Sequence, residues 1–286
     1  MSWHCLQQKR LKLMLVICTS GLIVPALSGD RSVSFSSDAA PNTQLSSQQI
    51  ESTARAIAVK VLSVDVLGSG FLIEKQGEVY TVVTNAHVIR AGDPPLRLQT
   101  WDGQIYPALL LENAKFKGND LALLQFRSSH HSYSVASIDS SFNLAMVAKR
   151  TAAGIATNVF AAGYTLDDAQ SATKKKPQLK GFTFNSGRVS MMLDKPLEGG
   201  YQVGYTNNIE KGMSGGPLLN QWGKVVAING KHAYPLWDAP SVFQDGSVAC
   251  PSLQKSIDRT SWAIPIETLV KLAPTSIELH SQLTAP

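Results

Sequence analysis

One serine set among glycines is the first feature of this chain with chemical consequences. Residues 212–217 read Gly212-Met213-Ser214-Gly215-Gly216-Pro217. A nucleophile for acyl transfer must stand proud of the backbone, beside two amide N–H groups that converge where a substrate carbonyl becomes an oxyanion. Glycines before and after the serine permit backbone angles that a β-carbon forbids, and leave room for a peptide. Gly/Ser runs also merely turn chains, so this run alone is evenly balanced between the two readings. Two other segments bear on it. Thr84-Asn85-Ala86-His87-Val88-Ile89 closes a strand-like run with a histidine, and Asn119-Asp120-Leu121-Ala122-Leu123-Leu124 opens another with an aspartate. A serine hydroxyl is a poor nucleophile until a base takes its proton, which a neutral imidazole can do. The imidazole in turn needs a carboxylate to fix its tautomer and stabilise its charged form. Taken singly, His87 reads as an ordinary histidine and Asp120 as a turn residue.

The elements that must position these groups are short strands. From Ile57 the chain alternates at Val59 and Val61. Strand-like runs follow at 70–74, 79–84, 96–100, 108–112, 121–127, 158–163, 182–191, 200–205, 216–219 and 224–229, bounded by Gly, Asn, Asp or Pro. Many short strands without alternating long helices predict an all-β sandwich or barrel. A short helix is expected over 46–56, capped by Ser46 or Ser47, and another from Pro265 through Ala273, stopped by Pro274. Lys174-Lys175-Lys176 reads as part of a solvated loop, with a basic docking loop as the sharper alternative.

Composition bounds the function classes. The chain has 286 residues, 44% apolar and 16% charged, enough for a sizeable core and unlike a disordered or polytopic membrane chain. The formal charge is +5, but Lys9, Arg10 and Lys12 fall in the first 12 residues and no acid precedes Asp30. Setting those three aside turns 26 basic residues into 23, against 21 acidic, a balance that predicts no nucleic-acid partner. Cations, then an apolar run (Leu13 to Ile17, Leu22 to Val24), then Ala26-Leu27-Ser28 form a secretory signal pattern, with cleavage expected after Ser28. An anchor helix would need a longer run, uninterrupted by Thr19, Ser20 and Pro25. A lipoprotein reading through Cys18 meets bulky Ile17 before it. Residues 29–47 read as a flexible leader, and 48–286 as the folded domain. Removing the signal takes Cys5 and Cys18, so the mature fold is expected to rely on its core, with Cys250 structural or incidental rather than nucleophilic. Disulfide-poor export points to a bacterial periplasm or extracellular space.

In combination these segments carry a resemblance. The order His87, Asp120, Ser214 matches the chymotrypsin-like, trypsin-fold serine peptidases. Gly68-Ser69-Gly70-Phe71-Leu72-Ile73, Thr84–Ile89, Asn119–Leu124, Gly212–Leu219 and Trp262-Ala263-Ile264-Pro265-Ile266 look like the bacterial HtrA/Deg-type branch, across about residues 57–273. The whole chain resembles stand-alone trypsin-like peptidases of bacteria, cyanobacteria especially, without the PDZ domain of HtrA proteins. The resemblance implies two antiparallel six-stranded β-barrels, over roughly 48–150 and 151–273, with a short C-terminal helix and the active site between the barrels. It implies His87 as general base then acid, Asp120 as its orienter, Ser214 as nucleophile, and the N–H groups of Gly212 and Ser214 as oxyanion hole. It implies polypeptide substrates, no metal and no cofactor, with no stable membrane span once the signal is cut and the oligomeric state open.

Three departures go with it. Met213 stands where digestive members carry an aspartate that traps a new N-terminal amine, so activation by that cleavage is expected to be absent. Gly230 stands where many relatives place a serine supporting the aspartate. Asn208 is nearest the expected floor of the specificity pocket, which disfavours an Arg or Lys preference and leaves a small or apolar one. Substrate-binding residues implied by the resemblance are Asn208 and, about 14–18 residues past Ser214, Ile228, Asn229, Gly230 and His232; His232 is either a rim residue or a partner for a substrate carboxylate. Two other activities compete with peptidase function: a peptidase fold that binds peptides or unfolded proteins without cutting them, and an esterase, although the G-x-S-x-G pattern is missing.

Overall fold

The computed structural model describes residues 44–63, 67–140, 142, 146–147, 149–150, 153–166, 179–233, 240–274 and 277. The signal segment, all but the end of the leader, and Lys174–Lys176 lie outside the described residues. The first described element is α1 (Ser47–Ile57). Ser46 caps it: Gln49 N–H donates to Ser46 Oγ at 3.3 Å while Gln49 Oε1 accepts from the Ser46 N–H at 2.8 Å. Ile50, Ala54 and Ile57 lie on one stripe and are buried. The Leu45 N–H donates to Gln221 O at 3.0 Å, so residues 44–47 of the segment read as leader pack on the folded domain.

Two β-units follow. The first is a seven-stranded antiparallel sheet of β1 (Ala58–Leu62), β2 (Leu67–Gln76), β3 (Val79–Thr84), β4 (Arg97–Gln99), β5 (Ile105–Pro107), β6 (Leu109–Leu110) and β7 (Ala122–Arg127), ordered β5-β4-β1-β2-β3-β7-β6. It curls into a nearly closed barrel, with one strand more than expected. The one-turn helix α2 (Ala86–Arg90) leaves β3. The second is a closed six-stranded barrel of β8 (Asn158–Leu166), β9 (Leu179–Leu197), β10 (Tyr201–Tyr205), β11 (Pro217–Leu219), β12 (Val225–Lys231) and β13 (Ser261–Pro265), ordered β10-β13-β12-β11-β8-β9. Helices α3 (Pro251–Asp258) and α4 (Ile266–Leu272) flank β13. This is the two-barrel all-β architecture of the chymotrypsin-like fold, with the expected C-terminal helix and an additional one at α3. Cys250 stands at the N-cap of α3, with its Sγ 3.4 Å from Ser252 Oγ.

The apolar residues of the strands fall into three layers. Leu72, Tyr80, Val82, Leu124 and Phe126 fill the first barrel, while Val159, Ala161, Val203, Leu218 and Val226 fill the second. The opposite faces of the same strands are also covered: Phe71, Ile73, Val83 and Leu123 meet Ala162, Leu197, Leu219, Ile228 and Trp262 in a layer between the barrels. A strand buried on both faces has no polar side to show. The connecting segment stitches the units together: Ala136 N–H donates to Leu72 O, and Val225 N–H to Ser137 O, both at 2.8 Å.

Phe71 lies fully buried in the intervening layer, whereas Leu109 is 74% exposed on an edge strand. Phe71→Ala is expected to destabilise the fold by about 3–5 kcal/mol, and Leu109→Ala by less than about 0.5 kcal/mol. Denaturant unfolding of the two variants measures the contrast, and comparable losses would contradict the layer assignment.

Candidate active site

His87 owes its place to the end of β3. Asn85 keeps an extended backbone, and the chain then turns once as α2, so that the first N–H groups of that turn have no partner within the helix. Asp120 supplies one: its Oδ1 accepts the His87 backbone N–H at 2.8 Å. Its Oδ2 lies 2.5 Å from His87 Nδ1. Asp120 is itself fixed from both barrels. Asn85 Nδ2 donates to its carbonyl at 2.8 Å, and its own N–H donates to Gly199 O, also at 2.8 Å, just ahead of β10. The Tyr201 hydroxyl donates to Oδ2 at 2.5 Å. Arg90 Nη2 stands 3.6 Å from Oδ1, but that side chain is 72% exposed and the pair contributes little.

The carboxylate of Asp120 is only 10% exposed. Burial alone would raise its pKa, yet the hydrogen bond and charge attraction from His87, followed by the Tyr201 hydroxyl, hold it below the usual carboxylate value. The group is therefore ionised across the neutral range. Nδ1 of His87 is committed to it, which leaves Nε2 as the nitrogen open to other chemistry.

Ser214 sits on a loop that only glycine can build. Gly212 has φ 95° and Gly215 φ 83°. A Cβ on Gly215 would overlap Ser69 O and Thr84 Oγ1, and one on Gly212 would press on Tyr164 O. The buried hydroxyl of Ser69 on β2 donates to Gly212 O at 2.6 Å and accepts the Tyr164 N–H at 2.8 Å, while the Ser69 N–H donates to Ser214 O at 2.9 Å. Ser69 thus ties the serine loop to the first barrel and sets the direction of the Gly212 carbonyl. Among the described residues no acceptor takes the N–H of Gly212 or Ser214. The Ser214 hydroxyl donates to Gly230 O at 3.1 Å.

His87, Ser214, Gly212, Gly230 and His232 line one open cleft, with Leu166 and Ile209 as apolar walls and Glu210 and Lys211 at its edge. The other implied substrate residues are placed elsewhere. Ile228 and Asn229 are fully buried in β12, their backbones engaged by β11, β13 and the serine loop, so neither can pair with a substrate strand. Asn229 is a barrel strut: Nδ2 donates to Ala162 O and Pro217 O, and Oδ1 accepts from the Tyr205 hydroxyl at 2.9 Å. Asn208 is exposed, bonds to Glu210 Oε1 at 3.3 Å, and borders a separate concavity with Tyr205, Asn207 and Arg259. Met213 is wholly buried among Val159, Leu218 and Ala227, where no charged amine could be received. Sequence reading missed Tyr201 as a site residue and gave Ser69 no role; Ser69 lay within a quoted motif, while nothing local marked Tyr201.

A carboxylate depressed in the folded state adds stability above its unfolded pKa, about 3.9, and that contribution is lost as pH falls through the lower folded value. Unfolding free energy is therefore expected to fall more steeply below about pH 4 for the native chain than for Asp120→Asn. Acid titration followed by denaturant unfolding measures this, and parallel curves would contradict it.

Residues 68–228 match the family model of the trypsin-like peptidase domain, a span running from β2 into β12 and containing His87, Asp120 and Ser214. The chain is also 32% identical over 163 residues to the serine protease Do-like HtrA of Bacillus subtilis (strain 168), covering 57% of this chain and 32% of that protein. The chain thus spans about a third of that relative's length. The matched span covers more than half of the chain, which belongs to the trypsin-like peptidase family.

Proposed function

We propose that the protein is an exported serine endopeptidase that hydrolyses peptide bonds through an acyl-enzyme. The observation that carries this reading is the 2.5 Å contact between His87 Nδ1 and the Asp120 carboxylate, in a residue whose ring borders the same cleft as Ser214. With Nδ1–H held by Asp120, Nε2 is the basic nitrogen. The Ser214 hydroxyl leaves Gly230 O by rotating, gives its proton to Nε2, and its oxygen attacks the substrate carbonyl. Catalytic hydrogen bonds of this kind commonly tighten only when substrate binds. The negative carbonyl oxygen is received by the N–H groups of Gly212 and Ser214, each such donor contributing about 3 kcal/mol of transition-state stabilisation. Imidazolium then protonates the leaving amine, and water, deprotonated by His87, releases the acid product and restores the serine.

Leu166 and Ile209 favour a small or apolar substrate side chain, and the opposite charges of Glu210 and Lys211 give no net preference for a charged one. The resting bond of Ser214 to Gly230 O is the one observation that favours a silent peptide-binding module. Among the described residues no helix is long and apolar enough to cross a membrane. Export rests on the cationic, apolar and small-residue segments that end at Ser28.

Native protein is expected to react with a fluorophosphonate probe and to cleave casein, and Ser214→Ala to lose both. Tight peptide binding without labelling would favour the silent module, and cleavage of small esters alone an esterase. N-terminal sequencing of protein recovered outside the cytoplasm is expected to begin at Gly29; a start at Met1 would overturn signal cleavage.

A further inference from the structure

Asp120 Oδ2 has two donors, His87 Nδ1–H and the Tyr201 hydroxyl, each at 2.5 Å. Tyr201 comes from β10, in the opposite barrel, and is 2% exposed. Its ring occupies a specific volume: a Cβ built on Gly230 would overlap both the ring and the hydroxyl. A side chain at 230 and the phenol at 201 therefore compete for one space beside the carboxylate. Burial, then the neighbouring Asp120 charge, raise the Tyr201 phenol well above its ordinary value, so it remains a donor at any working pH.

We propose that Tyr201 is a positioning residue of this site: its hydroxyl holds the Asp120 carboxylate in the orientation in which Oδ2 meets His87, and residue 230 is glycine because the tyrosine fills its side-chain space. The inference rests on the His87–Asp120–Ser214 reading above. The charged and titratable groups facing the pair are His87 and Arg90 from α2, Tyr205 from β10, and Lys231 from β12, whose ammonium lies 5.0 Å over the Tyr201 ring with Glu198 acting on it in turn. Arg90 is largely solvated, and Lys231 lies over the ring while its charge also acts on Asp120. Removing the phenolic hydroxyl therefore changes the donors to Oδ2 and little else. The carboxylate would then place more of its charge on His87, favouring imidazolium, while its orientation loosens.

The test compares native protein, Ser214→Ala, Tyr201→Phe, Tyr201→Ala, Gly230→Ser and Tyr201→Ala/Gly230→Ser on one peptide substrate from about pH 4 to 9. Tyr201→Phe is expected to lower kcat about tenfold or more with KM nearly unchanged, as for loss of a buried hydrogen bond to a charged group. Its acid limb is expected to move to higher pH. Gly230→Ser alone should be impaired by overlap, whereas joined to Tyr201→Ala it returns a hydroxyl to the vacated space and should exceed Tyr201→Ala alone. If Tyr201→Phe cleaves within about twofold of native with the same acid limb, the role of Tyr201 is overturned while the triad stands. If Tyr201→Phe does not fold, the double variant decides, and no gain over Tyr201→Ala overturns the proposal. A native protein that neither labels nor cleaves, like Ser214→Ala, would instead remove the underlying triad reading.

Discussion

A carboxylate kept ionised between two apolar β-layers is the constraint around which the cleft is arranged. Burying an unpaired charge is among the costliest things a fold can do, and the usual outcome is that the group takes up a proton. Asp120 escapes that outcome because three donor contacts converge on its two oxygens: the His87 N–H, His87 Nδ1 and the Tyr201 hydroxyl. Two of them come from one residue, so α2 is held by the carboxylate it serves. The third comes from the other barrel, so satisfying Asp120 also requires the two β-units to be correctly apposed.

The same logic runs through the serine loop. The positive φ angles of Gly212 and Gly215 turn the Gly212 and Ser214 carbonyls off any ladder, and such groups need partners when buried. Ser69 supplies them with its N–H and hydroxyl, while its carbonyl accepts the Thr84 hydroxyl at 2.7 Å. One small residue of the first barrel thereby links the strand that leads into His87 to the loop that bears Ser214. Serine suits the position because its wholly buried hydroxyl donates and accepts at once.

This division explains what could be read from the chain. Strands β3 and β7 were legible because burial on both faces leaves them mostly apolar, broken inside only at Thr81 and Gln125, and His87 and Asp120 lie just beyond their ends. Strand β5 was not, since Ile105 and Pro107 are exposed and the strand spans three residues at a sheet edge. Strand β13 was quoted as a motif but not as a strand; its buried residues lead straight through Pro265 into α4, and a pattern of period blurs where one element becomes another. Ile228 and Asn229 were assigned to the substrate by counting from Ser214. Counting carries no information about which edge of a strand is already paired, and β12 is paired on both.

Tyr201 is the sharper case. In sequence it is one aromatic residue in a run read simply as a strand, 81 positions from the aspartate it touches. Its meaning comes from register: β10 is closed against β9 and β13, and the turn before it carries Gly199, whose carbonyl also receives the Asp120 N–H. The glycine at 230 looked like a missing support for Asp120 when judged by its own position. A hydrogen-bond donor, though, is defined by where its hydrogen ends, not by where its α-carbon begins. A long side chain from a neighbouring strand can occupy the volume that a short one would have filled, provided the short one is absent. Gly230 and Tyr201 are in that sense a single structural choice divided between two strands, and the glycine is the half of it that keeps the space open.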